Sequence, residues 1–99
     1  MSTIAGYFSS SGVPSSQTNS KLISHVQNSG AYHVQFSAPF SSVPAVVVSP
    51  QTDNLGTGYV VATSLGDVTE TGFWVYFQNL SSPAQNRDAA FSFVAMACN

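Results

Sequence analysis

Apolar and polar residues alternate along the last two thirds of the chain in a way that predicts β-strands. β-Branched and aromatic residues gather in short runs, and Gly, Pro, Asp and Asn separate these runs. No segment combines a sustained helical period with a capping signal. The sequence therefore predicts an all-β fold, either a sandwich or a small barrel. The predicted strands are residues 32–36, 45–49, 59–65, 72–79 and 89–97.

The predicted strand at 72–79 is apolar on both of its faces. Core-type residues alternate along it with Trp74 and Tyr76. A two-sheet sandwich of this length normally leaves its outer faces to water, so another molecule must cover the face that carries Trp74 and Tyr76. A second copy of the chain is the economical candidate, because few surface charges oppose association. We expect an oligomer with both rings in its interface; the alternative is that they stack on a ligand.

The last two predicted strands are expected to pair directly with each other. The segment Asn86-Arg87-Asp88 precedes the strand at 89–97 and contains residues that favour turns. We therefore predict that this segment closes a hairpin between the strands at 72–79 and 89–97.

Small polar residues, serine above all, dominate the first 30 residues and favour turns and loops. Two short apolar pieces, 4–8 and 22–26, interrupt them and predict edge strands. A chain of 99 residues fits one domain. We therefore treat residues 1–99 as a single unit with a serine-rich segment at 1–30.

The chain carries very little charge, and this argues against several classes of function. Charged residues make up 6% of the sequence and the formal net charge is -2, so no basic surface is available for nucleic acid. The scarcity of ionisable groups also argues against an enzyme and against a metal or other cofactor. His25 and His33 alone make a weak zinc signal. Cys98 is the single cysteine, so no internal disulfide is expected.

Neither a membrane span nor a signal peptide is apparent in the sequence. No apolar run approaches the length of about 18 residues that a membrane span requires, so we expect no membrane insertion. The N-terminal residues lack the basic and long apolar regions of a signal peptide. We therefore expect a protein that is cytoplasmic or is released without a signal peptide.

Three motifs occur in the order and at the spacing of a known family. Residues 34–49 read VQFSAPFSSVPAVVVS, residues 68–73 read VTETGF, and residues 91–95 read FSFVA. A loop with Asp and Asn at 52–56, followed by a predicted strand, lies between the first two motifs. Together these features resemble the H-type lectin domain over residues 32–97.

The resemblance implies a six-stranded antiparallel sandwich that assembles as a homotrimer. Members of that family bind carbohydrate in clefts at the protomer interfaces, typically a terminal N-acetylgalactosamine or galactose. The family's acidic residue, arginine and aromatic–histidine pair correspond to places near 25–28, 58–60 and 79–81, where this chain has other residue types.

The candidate binding residues are planar hydrogen-bonding side chains and one aromatic ring, the groups that hold sugars in protein sites. Most of them are expected in loops, where binding residues concentrate on a rigid β-scaffold. The alternative for the residues at 53 and 54 is that they cap their own turn, and for those at 87 and 88 it is an ordinary ion pair. The carbohydrate-binding candidates are Asp53, Asn54, Tyr59, Asn79, Asn86, Arg87 and Asp88.

Two functions fit this sequence. The first is a non-catalytic lectin that recognises terminal sugars of glycans or glycoconjugates through several weak sites around a trimer. The alternative is a trimeric attachment module of a phage tail fibre or a similar appendage, which would be virion-associated. In that case the serine-rich residues 1–30 would join the domain to a shaft.

Overall fold

The structure is a computed structural model that describes residues 3–14, 20–51, 61–80 and 85–98. Within these ranges the chain forms eight strands. The all-β class predicted from the sequence is therefore confirmed. The strands are β1 (Thr3–Phe8), β2 (Ser20–His25), β3 (Ala31–Phe36), β4 (Ala45–Gln51), β5 (Val61–Gly66), β6 (Gly72–Asn79), β7 (Gln85–Asn86) and β8 (Ala90–Met96).

The strands are arranged in two antiparallel sheets. One sheet has three strands in the order β1-β8-β4, and the other has the order β2-β3-β6-β5. The two-residue strand β7 pairs with the end of β6, where Gln78 lies opposite Asn86. Strands β1 and β2, which come from the serine-rich N-terminal segment, each lie at the edge of a sheet. The described strands number eight, whereas the family resemblance implies six.

The predicted hairpin between the last two long strands is wrong. Strand β6 lies in the five-stranded sheet and β8 lies in the three-stranded sheet, so residues 87–89 carry the chain from one sheet to the other. The physical reason lies in the inner faces of the two strands. Phe77 of β6 and Phe91 of β8 meet in the core with their ring centroids 5.4 Å apart. Because both strands have a strongly apolar face, stacking one over the other buries both faces.

The core lies between the two sheets and is built largely from aromatic rings. Phe91 of β8 is fully buried, and its ring contacts rings from β1, β3 and β6. The inner face of β3 shows the alternation that directs every second residue inward, because Tyr32, Val34 and Phe36 are buried while their neighbours are half-buried. Tyr32 is the one buried residue of this face with a polar atom, which places a hydroxyl at the end of the core.

The outer face of the five-stranded sheet carries a row of three stacked rings. His33 stacks on Trp74 with a centroid distance of 4.5 Å, and Trp74 lies parallel to Tyr76 at 6.0 Å. Trp74 is half-buried and Tyr76 is 41% exposed. The alternation along β6 thus directs one set of residues into the core and the other set to this outer face.

Because Phe91 contacts rings from three strands, we predict that Phe91→Ala lowers the free energy of unfolding by about 3–5 kcal/mol. The reason is the loss of buried apolar surface together with the cavity that remains. Chemical denaturation followed by Trp74 fluorescence measures the change. Val47→Thr, at an exposed position of β4, is the control and is expected to change stability by less than about 0.5 kcal/mol. Equal effects of the two substitutions would contradict this account of the core.

Candidate functional site

A polar cleft of about 810 Å³ lies at one end of the two sheets. Three segments meet there: the turn after β1, the loop 26–30 between β2 and β3, and residues 87–89 between β7 and β8. Hydroxyl, amide, imidazole, guanidinium and carboxylate groups line it. The lining residues are Ser10, Ser11, His25, Gln27, Asn28, Asn86, Arg87 and Asp88.

The loop 26–30 depends on two residues with left-handed backbone conformations. Asn28 has φ +68° and Gly30 has φ +69°, and asparagine and glycine are the residues that adopt this region most readily. Gly30 is also required by space, because a Cβ there would lie 2.5 Å from the carbonyl oxygen of Phe77 and 3.0 Å from the backbone nitrogen of Arg87. A residue without a side chain therefore lets the loop pack against the end of β6 and the start of residues 87–89, the crossing segment between the two sheets.

The Asp88 carboxylate fastens this loop to the crossing segment. Its Oδ2 accepts a hydrogen bond of 2.7 Å from the backbone N–H of Asn28, and its Oδ1 accepts one of 2.9 Å from the N–H of Gly30. Nε2 of His25 lies 3.2 Å from Oδ2. Hydrogen bonds to an ionised acceptor are the strong ones, so this carboxylate is a major structural link at the cleft. Its side chain is 15% exposed, and both of its oxygens are engaged within the chain.

His25 is held on both of its ring nitrogens and on its ring face. Nδ1 lies 2.8 Å from the carbonyl oxygen of Ala31, and Nε2 faces Asp88. The imidazole stacks on Tyr32 with a centroid distance of 4.0 Å and an interplanar angle of 5°. Both ring nitrogens thus face acceptor oxygens. A neutral imidazole has a single N–H, so only the protonated ring can donate to both partners.

Tyr32 links the core to the wall of the cleft. Its hydroxyl donates a hydrogen bond of 2.6 Å to the carbonyl oxygen of Ser10 and accepts one of 3.2 Å from the backbone N–H of Ala89. Burial of the phenol raises its pKa well above the usual value, the negative charge of Asp88 raises it further, and the hydrogen bond from Ala89 opposes this shift. The phenol therefore stays protonated and continues to donate to Ser10 at all ordinary pH values.

The structure brings three of the predicted binding residues together and separates a fourth from them. Asn86, Arg87 and Asp88 line the cleft. Asn79 is 4% exposed and lies within β6, between β5 and β7, so little of its surface is available to a ligand. The candidates Asp53, Asn54 and Tyr59 lie outside the described residues.

A smaller hollow of about 240 Å³ lies beside the cleft, next to strands β5 and β6. Ser64, Tyr76 and Gln78 are among the residues that line it, and Asn86 lines both the hollow and the cleft. The exposed ring of Tyr76 thus lies among amide and hydroxyl groups as well as next to Trp74. Both sequence interpretations of Tyr76, interface packing and ligand stacking, are compatible with this position.

Sequence reasoning missed several residues that line the cleft. The main ones are Ser10 and Ser11 from the N-terminal turn, and Gln27 and Asn28 from the loop after β2. The sequence contained one signal for this loop, because the family's acidic residue corresponds to a place near 25–28. A second signal for this loop is the tripeptide Asn28-Ser29-Gly30, whose composition is typical of a tight turn.

The described residues contain no group of three or more His, Cys, Asp or Glu side chains placed to hold a metal ion. In the same part of the chain, no helix is long and apolar enough to cross a membrane. The groups that line the cleft can form hydrogen bonds through hydroxyl, amide and guanidinium groups, beside the internally bonded Asp88 and His25.

The described residues form an antiparallel β-sandwich with a polar cleft built by loops, the position where binding residues concentrate on a rigid scaffold. Comparison with protein families matches residues 31–96 to the H-type lectin domain, and the chain belongs to this family. The resemblance inferred from the motifs is thereby confirmed. Membership indicates carbohydrate binding, and domains of this family are generally non-catalytic. Neither the search of curated proteins nor the search of solved structures found a match.

The raised pKa of Tyr32 predicts that the protein loses stability at alkaline pH. The folded state favours the protonated phenol, so this contribution is complete below about pH 10, where the unfolded phenol is also protonated, and is lost as the pH rises further. We expect the free energy of unfolding to fall more steeply between about pH 9.5 and 11 in the wild type than in Tyr32→Phe. Denaturant titrations at a series of pH values measure both slopes, and parallel curves would contradict the prediction.

Proposed function

We propose that the protein is a non-catalytic lectin that binds a terminal sugar in the cleft and acts as a homotrimer. The observation that carries this proposal is the meeting of Asn86, Arg87 and loop 26–30 around one polar cleft in a domain of the H-type lectin family. Family membership supports carbohydrate as the ligand class. The resemblance to family members suggests a sugar of the N-acetylgalactosamine or galactose type.

The side chains of the cleft suit a ligand with several neighbouring hydroxyl groups. Each sugar hydroxyl both donates and accepts, and the amides of Gln27, Asn28 and Asn86 offer both roles. The guanidinium of Arg87 adds donors in a planar arrangement. In this proposal these four side chains contact the sugar, while Asp88 holds the loop that presents two of them. Asp53, Asn54 and Tyr59 remain further candidates on the grounds of residue type.

The trimer in this proposal is supported by the outer face of the five-stranded sheet. The stacked rings of Trp74 and Tyr76 lie on this face, and a chain in which 6% of the residues are charged offers little repulsion to a second copy. A trimer would present three cleft sites, and simultaneous engagement of clustered glycans raises avidity above the affinity of any single site. Recognition without chemistry is the proposed activity.

The attachment-module alternative is less well supported by the arrangement of the N-terminal segment. In that alternative, residues 1–30 form a junction to a shaft. In the structure, β1 and β2 from this segment pair with β8 and β3, and Ser10 and Ser11 line the cleft. A segment that contributes strands to both sheets is better explained as part of the binding domain. The cellular location, cytoplasmic or released without a signal peptide, stays a prediction.

A glycan array of the labelled protein tests the proposed function. We expect selective binding to glycans with a terminal sugar, competed by the free monosaccharide. Arg87→Ala should weaken this binding by about tenfold to a hundredfold, because a hydrogen bond from a charged group contributes about 1.5–3 kcal/mol. Lys21→Ala is the matched control, since it removes the other basic side chain, which is exposed on β2. Binding to no glycan, or equal loss in both variants, would contradict the proposal.

Light scattering in the same buffer tests the assembly and separates it from binding. Both basic-residue variants should keep the mass of a trimer. Trp74→Ser, in contrast, should reduce that mass, because it removes the central ring of the stacked row. A monomeric wild-type protein would contradict the proposed trimer. The glycan array would still test whether a single cleft binds sugar.

A further inference from the structure

We propose that His25 is a positioning residue that makes glycan binding depend on pH, because its protonated imidazole holds in place the Asp88 carboxylate that binds loop 26–30. This inference rests on the proposed function, because the loop it positions lines the proposed sugar cleft. His25 is not assigned a contact with the sugar. Its side chain is 6% exposed and its ring nitrogens both face groups of the protein.

Both ring nitrogens of His25 lie opposite oxygens that accept hydrogen bonds. The carbonyl oxygen of Ala31 can only accept, so Nδ1 must carry a proton to bond to it at 2.8 Å. The Asp88 carboxylate, which already accepts from two backbone N–H groups, is likewise an acceptor when ionised. Nε2 must therefore also carry a proton to bond at 3.2 Å. The arrangement as a whole is complete with the imidazolium and incomplete with the neutral ring.

Loss of one proton from the ring leaves one of its nitrogens with a lone pair that faces an acceptor oxygen. If Nδ1 keeps its proton, a lone pair on Nε2 faces the lone pairs of Asp88, which turns an attraction into a repulsion. If Nε2 keeps its proton instead, Nδ1 faces the carbonyl oxygen of Ala31 in the same unfavourable way. Because the ring is stacked on Tyr32 and largely buried, it cannot turn to water without breaking these contacts.

The Asp88 carboxylate connects the ring to the proposed ligand site. Oδ2 of Asp88 is shared between His25 and the backbone N–H of Asn28, so displacement of the carboxylate also releases the loop. Gln27 and Asn28 of this loop line the cleft. Loss of the proton should therefore weaken sugar binding through the position of these two side chains.

Three titratable or charged groups lie around His25 or in the same cleft. They determine whether sugar binding strengthens or weakens as the pH rises. Asp88, on the crossing segment, accepts hydrogen bonds from two backbone N–H groups, and its Oδ2 lies 3.2 Å from Nε2 of His25, which favours the charged ring. Tyr32, on β3, stays neutral because burial raises its pKa. Arg87 lines the same cleft and keeps its charge throughout. The pH dependence of binding is thus assigned to the imidazole, with stronger binding at the acidic end, where the ring carries both protons.

The binding test uses free N-acetylgalactosamine as the probe, titrated at pH values from about 5.5 to 8. We expect the affinity of the wild type to fall by about tenfold or more as the pH rises, the change that follows from loss of one charged hydrogen bond. His25→Gln should bind with an affinity that does not change with pH. His33→Gln is the matched control, because it removes the other histidine and should retain the wild-type dependence.

A second measurement tests the link from His25 through Asp88 to loop 26–30 without any sugar or variant. In nitrogen-15 NMR spectra of the ligand-free wild type, the backbone amides of Asn28 and Gly30 should shift with the same midpoint as the His25 imidazole. Amides that do not respond to this titration would overturn the inference. Sugar binding with an affinity independent of pH would also overturn it and leave the proposed function intact.

One further outcome would overturn the proposed function and not the link between His25 and the loop. If the two amides titrate with His25 but the protein binds no sugar at any pH on the array or in solution, the proposed function fails. The control of glycan binding by His25 then fails with it, and only the link from His25 through Asp88 to loop 26–30 is supported.

Discussion

The Asp88 carboxylate is the interaction on which the arrangement of the cleft depends. It lies on the segment that carries the chain from the five-stranded sheet to the three-stranded sheet, and it bonds to the backbone of the loop between β2 and β3. This loop could not keep left-handed conformations at Asn28 and Gly30 so close to the crossing segment without a partner for its N–H groups. One side chain thus fixes two of the three segments that form the cleft.

The third segment is fixed by the core itself. Tyr32 packs its ring among the phenylalanines between the sheets, while its hydroxyl bonds to Ser10 on one side and to Ala89 on the other. A single buried residue therefore holds both the N-terminal turn and the crossing segment against the core. The ring of His25 stacks on Tyr32, so the hydrogen-bonded side chains at the cleft are in direct contact with the hydrophobic core.

The fold could be predicted from the sequence to the level of strands and faces. Alternation along residues 72–79 predicted the bounds of β6 and placed Trp74 on the face opposite to Phe73. Alternation does not say to which sheet a strand belongs, and the hairpin prediction failed for that reason. The direct pairing of two neighbouring strands is the common case, but here the aromatic faces of β6 and β8 gain more by packing against each other across the core.

The cleft was predictable only in part, because its partners are far apart in the sequence. Arg87 and Asp88 were identified as candidates by residue type, but the bond from Asn28 to Asp88 spans 60 positions and leaves no periodic signal. The role of His25 also depends on the Asp88 carboxylate, 63 positions away, and could not be inferred from two isolated histidines. Motif order, in contrast, does not depend on contacts, and it was sufficient to indicate the family that the comparison then confirmed.

The most direct test of the account is to map the bound sugar on the protein. Nitrogen-15 NMR spectra are recorded while a glycan selected on the array is titrated into the labelled protein. The account predicts that the largest shifts occur at Gln27, Asn28, Asn86 and Arg87, on the loop and the segment that Asp88 holds together. Shifts confined to the outer face around Trp74 would contradict it, because the ligand would then bind away from the cleft.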